Sequence, residues 1–217
     1  QIPKAPMAAT LTLWSIKAYN YERSYLWNRN KKNVKAILAC SSAANASYVL
    51  LAASLVSVYN LSTVIFYLIC YVFMNIAVFA FLNITESNNL GFNVEDFKSL
   101  FAKNKGLSIA YAIAILGLAG IPITSGFVAK IYLFSAIAHS GLIFIPFLLV
   151  LLILTVVALF YYLKLIRPLF EIEERGNVLK TFFSQNFVLY FTVFITVLIG
   201  VYPEKIIELC RFIAYNI

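Results

Sequence analysis

The chain has 217 residues, of which 62% are hydrophobic and only 12% are charged, and its net charge is +8. A soluble domain is nearer half apolar and a quarter charged, so this composition, with a mean hydropathy of +0.87, excludes an ordinary water-soluble fold. We therefore expect an all-α integral membrane protein built from transmembrane helices.

The first 35 residues contain no segment long enough to cross a membrane. Their apolar part, from Ala5 to Ile16, is shorter than the roughly 20 residues that a transmembrane helix needs. The stretch from Lys17 to Lys35 is basic and rich in Tyr and Trp, a composition typical of the membrane surface. We predict an interfacial N-terminal segment over residues 1–35.

Residues 36–217 form a membrane helix domain in which five apolar segments are long enough for transmembrane helices. We predict helices over residues 36–59, 63–84, 107–138, 142–166 and 186–202. Short connections at residues 60–62 and 139–141 join the first two helices, and the third and fourth, as helical hairpins. The tail, 203–217, mixes apolar and charged residues at helical spacing and predicts an amphipathic helix at the membrane surface.

Basic residues near the helix ends indicate the orientation of the chain. The side on which the first helix begins holds Lys17, Arg23, Arg29, Lys31, Lys32, Lys35, Lys98, Lys103, Lys105, Lys164, Arg167, Arg175 and Lys180. The opposite side holds Lys205 and Arg211 in the tail. The positive-inside rule therefore places the first side in the cytoplasm or mitochondrial matrix, and the tail in the periplasm or intermembrane space. Because topology explains the charge, we expect no nucleic-acid partner.

The third segment contains the most informative residue of the chain, Lys130. A charged side chain at the centre of a bilayer costs roughly 2.5–3.5 kcal/mol on insertion scales, so it is rarely accidental. Residues that interrupt a helix or carry hydroxyls precede it, namely Gly120, Pro122, Thr124, Ser125 and Gly126. A broken helix beside a lysine indicates an internal ion or proton path. The alternative is a lysine that snorkels to the headgroups, and the apolar sequence after Lys130 argues against it.

Polar residues elsewhere in the helices are weaker candidates. The first helix has a polar face made of Ser41, Ser42, Asn45, Ser47 and Tyr48. This face either extends a proton path or packs helices together, as small polar residues commonly do. His139, at the end of the third segment, is either an interfacial cap or a proton exit group. Lys164 lies close to the basic side, and we interpret it as a snorkelling anchor.

The run from Leu116 to Phe134, LGLAGIPITSGFVAKIYLF, resembles a signature helix of subunit 2 (subunit N in bacteria) of respiratory complex I, the proton-pumping NADH:quinone oxidoreductase. That family typically shows Leu-Ala-Gly-Ile-Pro, then Gly-Phe, then a Lys. Residues 33–48, 66–79, 159–164 and 199–203 resemble further stretches of the family in the same order.

The resemblance implies an antiporter-like subunit of the membrane arm that takes part in redox-driven proton translocation within the respiratory chain. The five helices would be the last of about fourteen, as in a C-terminal portion of a split or shortened subunit. Lys130 would be the proton-loading group. Lys4, Lys17 and Lys35 are further candidates, because the family carries lysines in earlier helices.

Cofactor motifs are absent from the sequence. Cys40, Cys70 and Cys210 are scattered, and neither a dinucleotide fingerprint nor a metal or iron–sulfur motif occurs. The resemblance assigns flavin and iron–sulfur clusters to partner subunits. The expected partners are the other membrane-arm subunits, including the earlier helices, and lipids such as cardiolipin.

The abundance of Ile, Phe, Tyr and Asn is typical of an AT-rich genome, which favours the mitochondrial inner membrane over a bacterial plasma membrane. Two other functions stay open. One is a subunit of a multi-subunit cation/proton antiporter, which shares the broken helix and its lysine. The other is a structural membrane subunit without a pumping path.

Overall fold

The computed structural model describes residues 33–55, 57–171 and 179–216, together with positions 9, 10, 13, 16, 17 and 20. The predicted interfacial segment, 1–35, therefore lies mostly outside the described residues. Within the described part the chain is helical, with one isolated bridge between Asn33 and Asn93. The predicted all-α membrane class is confirmed.

The described residues form α-helices joined by short turns. The helices are α1 (Val34–Ser54), α2 (Val58–Ser87), α3 (Leu100–Lys103), α4 (Lys105–Ala119), α5 (Ser125–His139), α6 (Ile145–Ile166), α7 (Phe183–Val201) and α8 (Glu204–Asn216). Single 3-10 turns lie at Val94–Phe97, Leu142–Phe144 and Arg167–Phe170.

Four segments of the described chain are long and apolar enough to cross a membrane, namely Val34–Ser54, Val58–Ser87, Leu142–Phe170 and Phe183–Val201. The remaining predicted segment, 107–138, is divided between α4 and α5, which have 15 residues each. Each half is about 22 Å long, shorter than the hydrocarbon core of about 30 Å. The two half-helices must therefore follow one another to complete a crossing.

The first helical hairpin turns earlier than predicted. The first helix ends at Ser54 and the second begins at Val58, so residues 60–62 lie in the first two turns of α2. Ser57 caps α2 by accepting a hydrogen bond from the backbone N–H of Asn60 at 3.0 Å. Ser62 donates its hydroxyl to the carbonyl three residues before it, at 2.7 Å. The polar residues that suggested a turn are thus satisfied inside the helix.

Helix α2 lies at the centre of the bundle and packs against α4, α5, α7 and α8. Its large side chains Phe66, Tyr67 and Phe81 are almost completely buried. Helix α6 contacts α4 and α5 but leaves most of its apolar surface exposed. In a membrane protein such a surface faces lipid or another membrane helix.

The predicted amphipathic tail is present as α8, but part of its apolar face packs on protein. Ile207, Cys210 and Ala214 are buried, and α8 lies against α2. Burial raises the pKa of the Cys210 thiol above its ordinary value. Leu209, Phe212 and Tyr215 are exposed, so these side chains are available to the membrane surface that the sequence predicted.

Glycines allow the helices to converge where α4 ends and α5 begins. A Cβ atom at Gly126 would lie 2.0 Å from the carbonyl oxygen of Gly117. A Cβ atom at Gly200 of α7 would lie 2.2 Å from the carbonyl oxygen of Ile123, in the link between the half-helices. Both neighbours are backbone atoms, which cannot move aside as a side chain can. The link is therefore held between α7 and the two half-helices.

Gly200→Ala is expected to lower the thermal stability of the purified protein, because its methyl group would overlap the backbone of the link. Overpacking of this kind typically costs about 1–3 kcal/mol. Thermal unfolding in detergent measures the effect, and Val201→Ala, at an exposed neighbouring position, is the matched control. Equal melting temperatures for Gly200→Ala and the unmodified protein would contradict the close approach of α7.

Candidate functional site

The break in the third segment has a defined backbone structure. Gly120 ends α4 in the left-handed conformation, with φ of +83°, and its N–H donates to the carbonyl of Leu116 at 3.0 Å. Ile123 is also left-handed, with φ of +79°, a conformation that is costly for a β-branched residue. Thr124 precedes α5 and donates its hydroxyl to the carbonyl of Ile121 at 2.6 Å.

The side chain of Lys130 folds back from α5 to the end of α4. Its Nζ atom donates to the carbonyl oxygens of Leu118 and Ala119, at 2.9 Å each, and the residue is only 7% exposed. Carbonyls in the last turn of a helix lack partners within the helix and carry the negative end of its dipole. A buried ammonium is therefore stabilised by backbone oxygens.

Gly120 has a second role beside its conformation. A Cβ atom there would lie 2.9 Å from Cδ of Lys130 and 3.3 Å from its Nζ. A side chain at this position would compete with the lysine for the space over the end of α4. The break and the lysine are thus one structural unit. Of the other predicted break residues, Ser125 and Gly126 are buried in the first turn of α5, while Pro122 is exposed in the link.

A cluster of buried polar side chains joins α1, α2 and α6. The hydroxyls of Ser41 and Tyr162 share a hydrogen bond. Asn45 donates to Ser41 at 3.5 Å and accepts from the hydroxyl of Tyr67 at 3.0 Å. Each of the four residues is at most 5% exposed. This polar cluster includes two predicted residues, Ser41 and Asn45, and two tyrosines that the sequence did not single out.

Other polar residues of α1 bond to their own helix or pack against α5. Ser42 and Ser47 donate their hydroxyls to backbone carbonyls of α1 itself, at 2.9 and 2.6 Å. The ring of Tyr48 meets that of Phe134 edge-on, with 6.0 Å between centroids. Phe134 lies one turn beyond Lys130 on α5, so Tyr48 brings the polar face of α1 near the lysine helix.

His139 lies away from the polar cluster, at the opposite end of α5 from the break. It is exposed, and its ring meets that of Tyr59 edge-on, with 6.2 Å between centroids. Beside it, Asn60 donates to the hydroxyl of Ser140 at 3.0 Å. These four residues line a cavity of about 590 Å³ on the side of the membrane opposite the basic loops.

Sequence reasoning missed two buried hydroxyls on α4. The side-chain oxygens of Ser108 and Tyr111 are buried without a hydrogen-bond partner among the described residues. Positions 108, 111 and 118 are three and seven residues apart, so they share the face of α4 that ends at Leu118. Buried polar groups of this kind commonly bind water. The only sequence signal for them was a Ser and a Tyr at helical spacing.

The remaining predicted lysines lie elsewhere. Lys35 is exposed at the start of α1, where its Nζ lies 3.7 Å from Glu86 Oε2 and 3.3 Å from the centroid of the Phe92 ring. Lys17 is exposed, and Lys4 lies outside the described residues. Lys164 is exposed near the end of α6, and its role as an anchor stays a prediction.

Residues 26–156, which include the break and Lys130, match the family described as NADH:quinone oxidoreductase/Mrp antiporter, TM. The match covers more than half of the chain. The chain therefore belongs to this family of membrane subunits.

Relatives within the family are similar over most of this chain. Subunit N 2 of the NADH-quinone oxidoreductase of Solibacter usitatus is 33% identical over 188 residues, covering 84% of this chain and 37% of that protein. Subunit N of the same enzyme from Blochmanniella floridana is 31% identical over 197 residues, covering 82% and 39%. The predicted resemblance to an antiporter-type subunit N is confirmed, and the chain spans less than two fifths of these relatives.

Solved structures share the fold. Respiratory complex I from Thermus thermophilus has a chain with a TM-score of 0.79 and 24% identity, covering 95% of this chain and 45% of its own length. The Mrp complex from Dietzia sp. has one with a TM-score of 0.85 and 18% identity, covering 99% and 47%. At these identities the comparison establishes the arrangement of helices alone.

Tyr67→Phe is expected to destabilise the protein by about 1–3 kcal/mol, because it leaves the buried oxygen of Asn45 without its donor. In an Asn45→Leu background, the same change should have a much smaller effect, since both partners are then gone. Tyr71→Phe, on the half-buried ring stacked against Tyr67, is the control. If Tyr67→Phe and Tyr71→Phe lowered the melting temperature equally, the result would contradict this assignment of the hydrogen bond.

Proposed function

We propose that the chain is part of an antiporter-like membrane-arm subunit of an NADH:quinone oxidoreductase, respiratory complex I, and that Lys130 loads and releases protons as electron transfer drives the complex. The observation that supports this most is the position of Lys130. It is a buried titratable group whose hydrogen bonds go to the end of a half-helix. A group that titrates in the membrane interior is the element that a proton pump requires.

The geometry suggests how the charge of Lys130 could be switched. The carbonyls of Leu118 and Ala119 stabilise the ammonium in its buried position. A shift of the last turn of α4 away from α5 would remove these two acceptors, so the site would stabilise the charge of Lys130 less. Gly120 permits the turn at this point, and strained Ile123 gives the link a conformation that a small movement would relieve.

Protons need a path on each side of Lys130. From the basic side, waters bound at Ser108 and Tyr111 would lead along the inner face of α4 toward its last carbonyls. Toward the other side, α5 runs nine residues, about 13 Å, to the cavity at His139. We assign entry to the first route and exit to the second. Side-chain rotation and bound water would bridge the distances between these groups and Lys130.

The polar cluster of Ser41, Asn45, Tyr67 and Tyr162 has a different proposed role. A hydroxyl can accept one proton and pass on another, but the amide of Asn45 in the middle of the cluster does not relay protons in this way. We therefore assign to the cluster the task of holding α1, α2 and α6 in register around α5.

The same proposal places the chain in an energy-conserving membrane with its tail opposite the basic loops. Composition favours the mitochondrial inner membrane, and the bacterial plasma membrane, the location of such enzymes in bacteria, is the alternative. Further membrane-arm subunits, including the earlier helices of the same family, would be its partners. Flavin, iron–sulfur clusters and quinone chemistry would belong to other subunits.

Lys130→Arg and Lys130→Ala test the proposal in the assembled complex reconstituted in vesicles. Arginine keeps the cation and its hydrogen bonds but does not release its proton at physiological pH, whereas alanine removes the charge. Both variants should lower the ratio of protons moved to NADH oxidised at least severalfold. Lys205→Ala, at an exposed position outside the spans, is the control and should leave that ratio unchanged.

The arginine variant separates a titrating lysine from a structural cation. Normal assembly with impaired pumping in Lys130→Arg would support proton loading. Normal pumping in Lys130→Arg would show that only a fixed positive charge is needed and would overturn the proposal. Transport driven by a sodium gradient without NADH oxidation would instead favour the cation/proton antiporter.

A further inference from the structure

Three aromatic rings form a cluster near the basic side of the bundle. Phe81 belongs to α2, Tyr111 to α4, and Phe97 to the 3-10 turn between α2 and α3. The rings of Phe81 and Tyr111 stack, with 4.1 Å between centroids and 23° between planes. Phe97 meets both rings edge-on, at 5.7 Å from Phe81 and 6.0 Å from Tyr111. All three side chains are completely buried.

The turn that carries Phe97 is anchored on both of its sides. Before it, the backbone N–H of Asn93 donates to the carboxylate of Asp96 at 2.8 Å, which closes the turn on itself. After it, the hydroxyl of Ser99 donates to the carbonyl of Glu171, just beyond α6, at 2.9 Å. A short surface segment is therefore held in a position that sends one large aromatic ring into the bundle.

Two hydroxyls of α4 lie at the level of this cluster. The side chains of Ser108 and Tyr111 are completely buried and have no hydrogen-bond partner among the described residues. Lys105, one helical turn before Ser108, is exposed. The face of α4 that carries the two hydroxyls ends at Leu118, whose carbonyl accepts from Lys130 at 2.9 Å. Side-chain packing thus separates the solution on the basic side from a polar face that leads to the lysine.

Aromatic rings at such a position exclude water, because a narrow hydrophobic constriction is unfavourable for water to fill. Phe81 and Tyr111 are parts of long helices inside the bundle, whereas Phe97 lies on a four-residue turn. The contacts of Phe97 with the other two rings are edge-on, while those two rings stack on each other. A displacement of the turn would uncover Tyr111 without moving a spanning helix.

We propose that Phe97 closes this polar face of α4 to water from the basic side, and thereby controls the passage of protons between that side and Lys130. The exclusion of water follows from the packing of the three rings. The control of protons rests on the proposed function of Lys130, so the two parts need separate measurements.

Thiol modification measures the access of water to the polar face. Ser108→Cys is introduced into the assembled complex, which is reconstituted in vesicles with the basic side outward. The probe is a membrane-impermeant trimethylammonium methanethiosulfonate. Peptide mass spectrometry follows position 108 alone, so the natural cysteines do not interfere. Lys105→Cys, at an exposed position, gives the rate of an open site.

The thiol at position 108 should react about tenfold more slowly than the thiol at position 105. Phe97→Ala should raise the rate at position 108 by about tenfold. Phe97→Leu, which leaves a smaller cavity and disturbs folding less, should raise it by a smaller factor. Phe101→Ala is the matched control, because Phe101 packs on Phe170 in the same surface region, with 4.9 Å between centroids. It should leave the rate at position 108 unchanged.

Equal rates at positions 105 and 108 in the otherwise unmodified chain would overturn the exclusion of water. Slow modification at position 108 in both Phe97 variants would show that another part of the chain excludes water, and would overturn the role of Phe97.

The control of protons is measured with Ser108 intact. Phe97→Leu should then lower the ratio of protons moved to NADH oxidised, because protons return through the opened face. Faster modification at position 108 together with an unchanged ratio would overturn this second part alone. Thiol modification does not depend on pumping, so its result stands whatever the test of Lys130 gives.

Discussion

The hydrogen bonds between the Lys130 ammonium and the carbonyls of Leu118 and Ala119 are the interaction around which this bundle is organised. They require a helix that ends in the membrane interior, because only an end leaves carbonyls free. That end requires Gly120 for its left-handed residue and for the space the lysine occupies. The link after it is held by the close approach of Gly200.

This arrangement compensates a buried charge with backbone dipoles, and in the proposed mechanism it makes the charge adjustable. The strength of such compensation depends on the position of a single helical turn, so a small movement changes it. The side chains of Ser41, Asn45, Tyr67 and Tyr162 form a neutral cluster and hydrogen-bond to one another in the buried interior. Such a cluster suits a permanent contact between helices. In the proposed mechanism a small displacement would therefore change the charge at Lys130, whereas the polar cluster carries no charge to change.

Hydropathy located the membrane segments well because long apolar runs have few alternatives to crossing a bilayer. It placed the connection between the first two helices too late. Ser62 and Thr63 look like turn residues, but their hydroxyls donate to carbonyls of α2 itself, so they fit within the helix. The amphipathic pattern of α8 predicted a helix but not its partner. Burial of Ile207 and Cys210 against α2 depends on a second surface that the pattern does not contain.

The sequence by itself determined the membrane class and the broken helix and singled out Lys130, because hydrophobic length, helix-breaking residues and an isolated charge are local properties. It could not identify the carbonyls that receive the lysine, since every residue carries one. Nor could it pair Ser41 with Tyr162, 121 positions apart, or place Phe97 against Phe81 and Tyr111. Those features come from contacts between distant segments, and only the packing of the helices decided them.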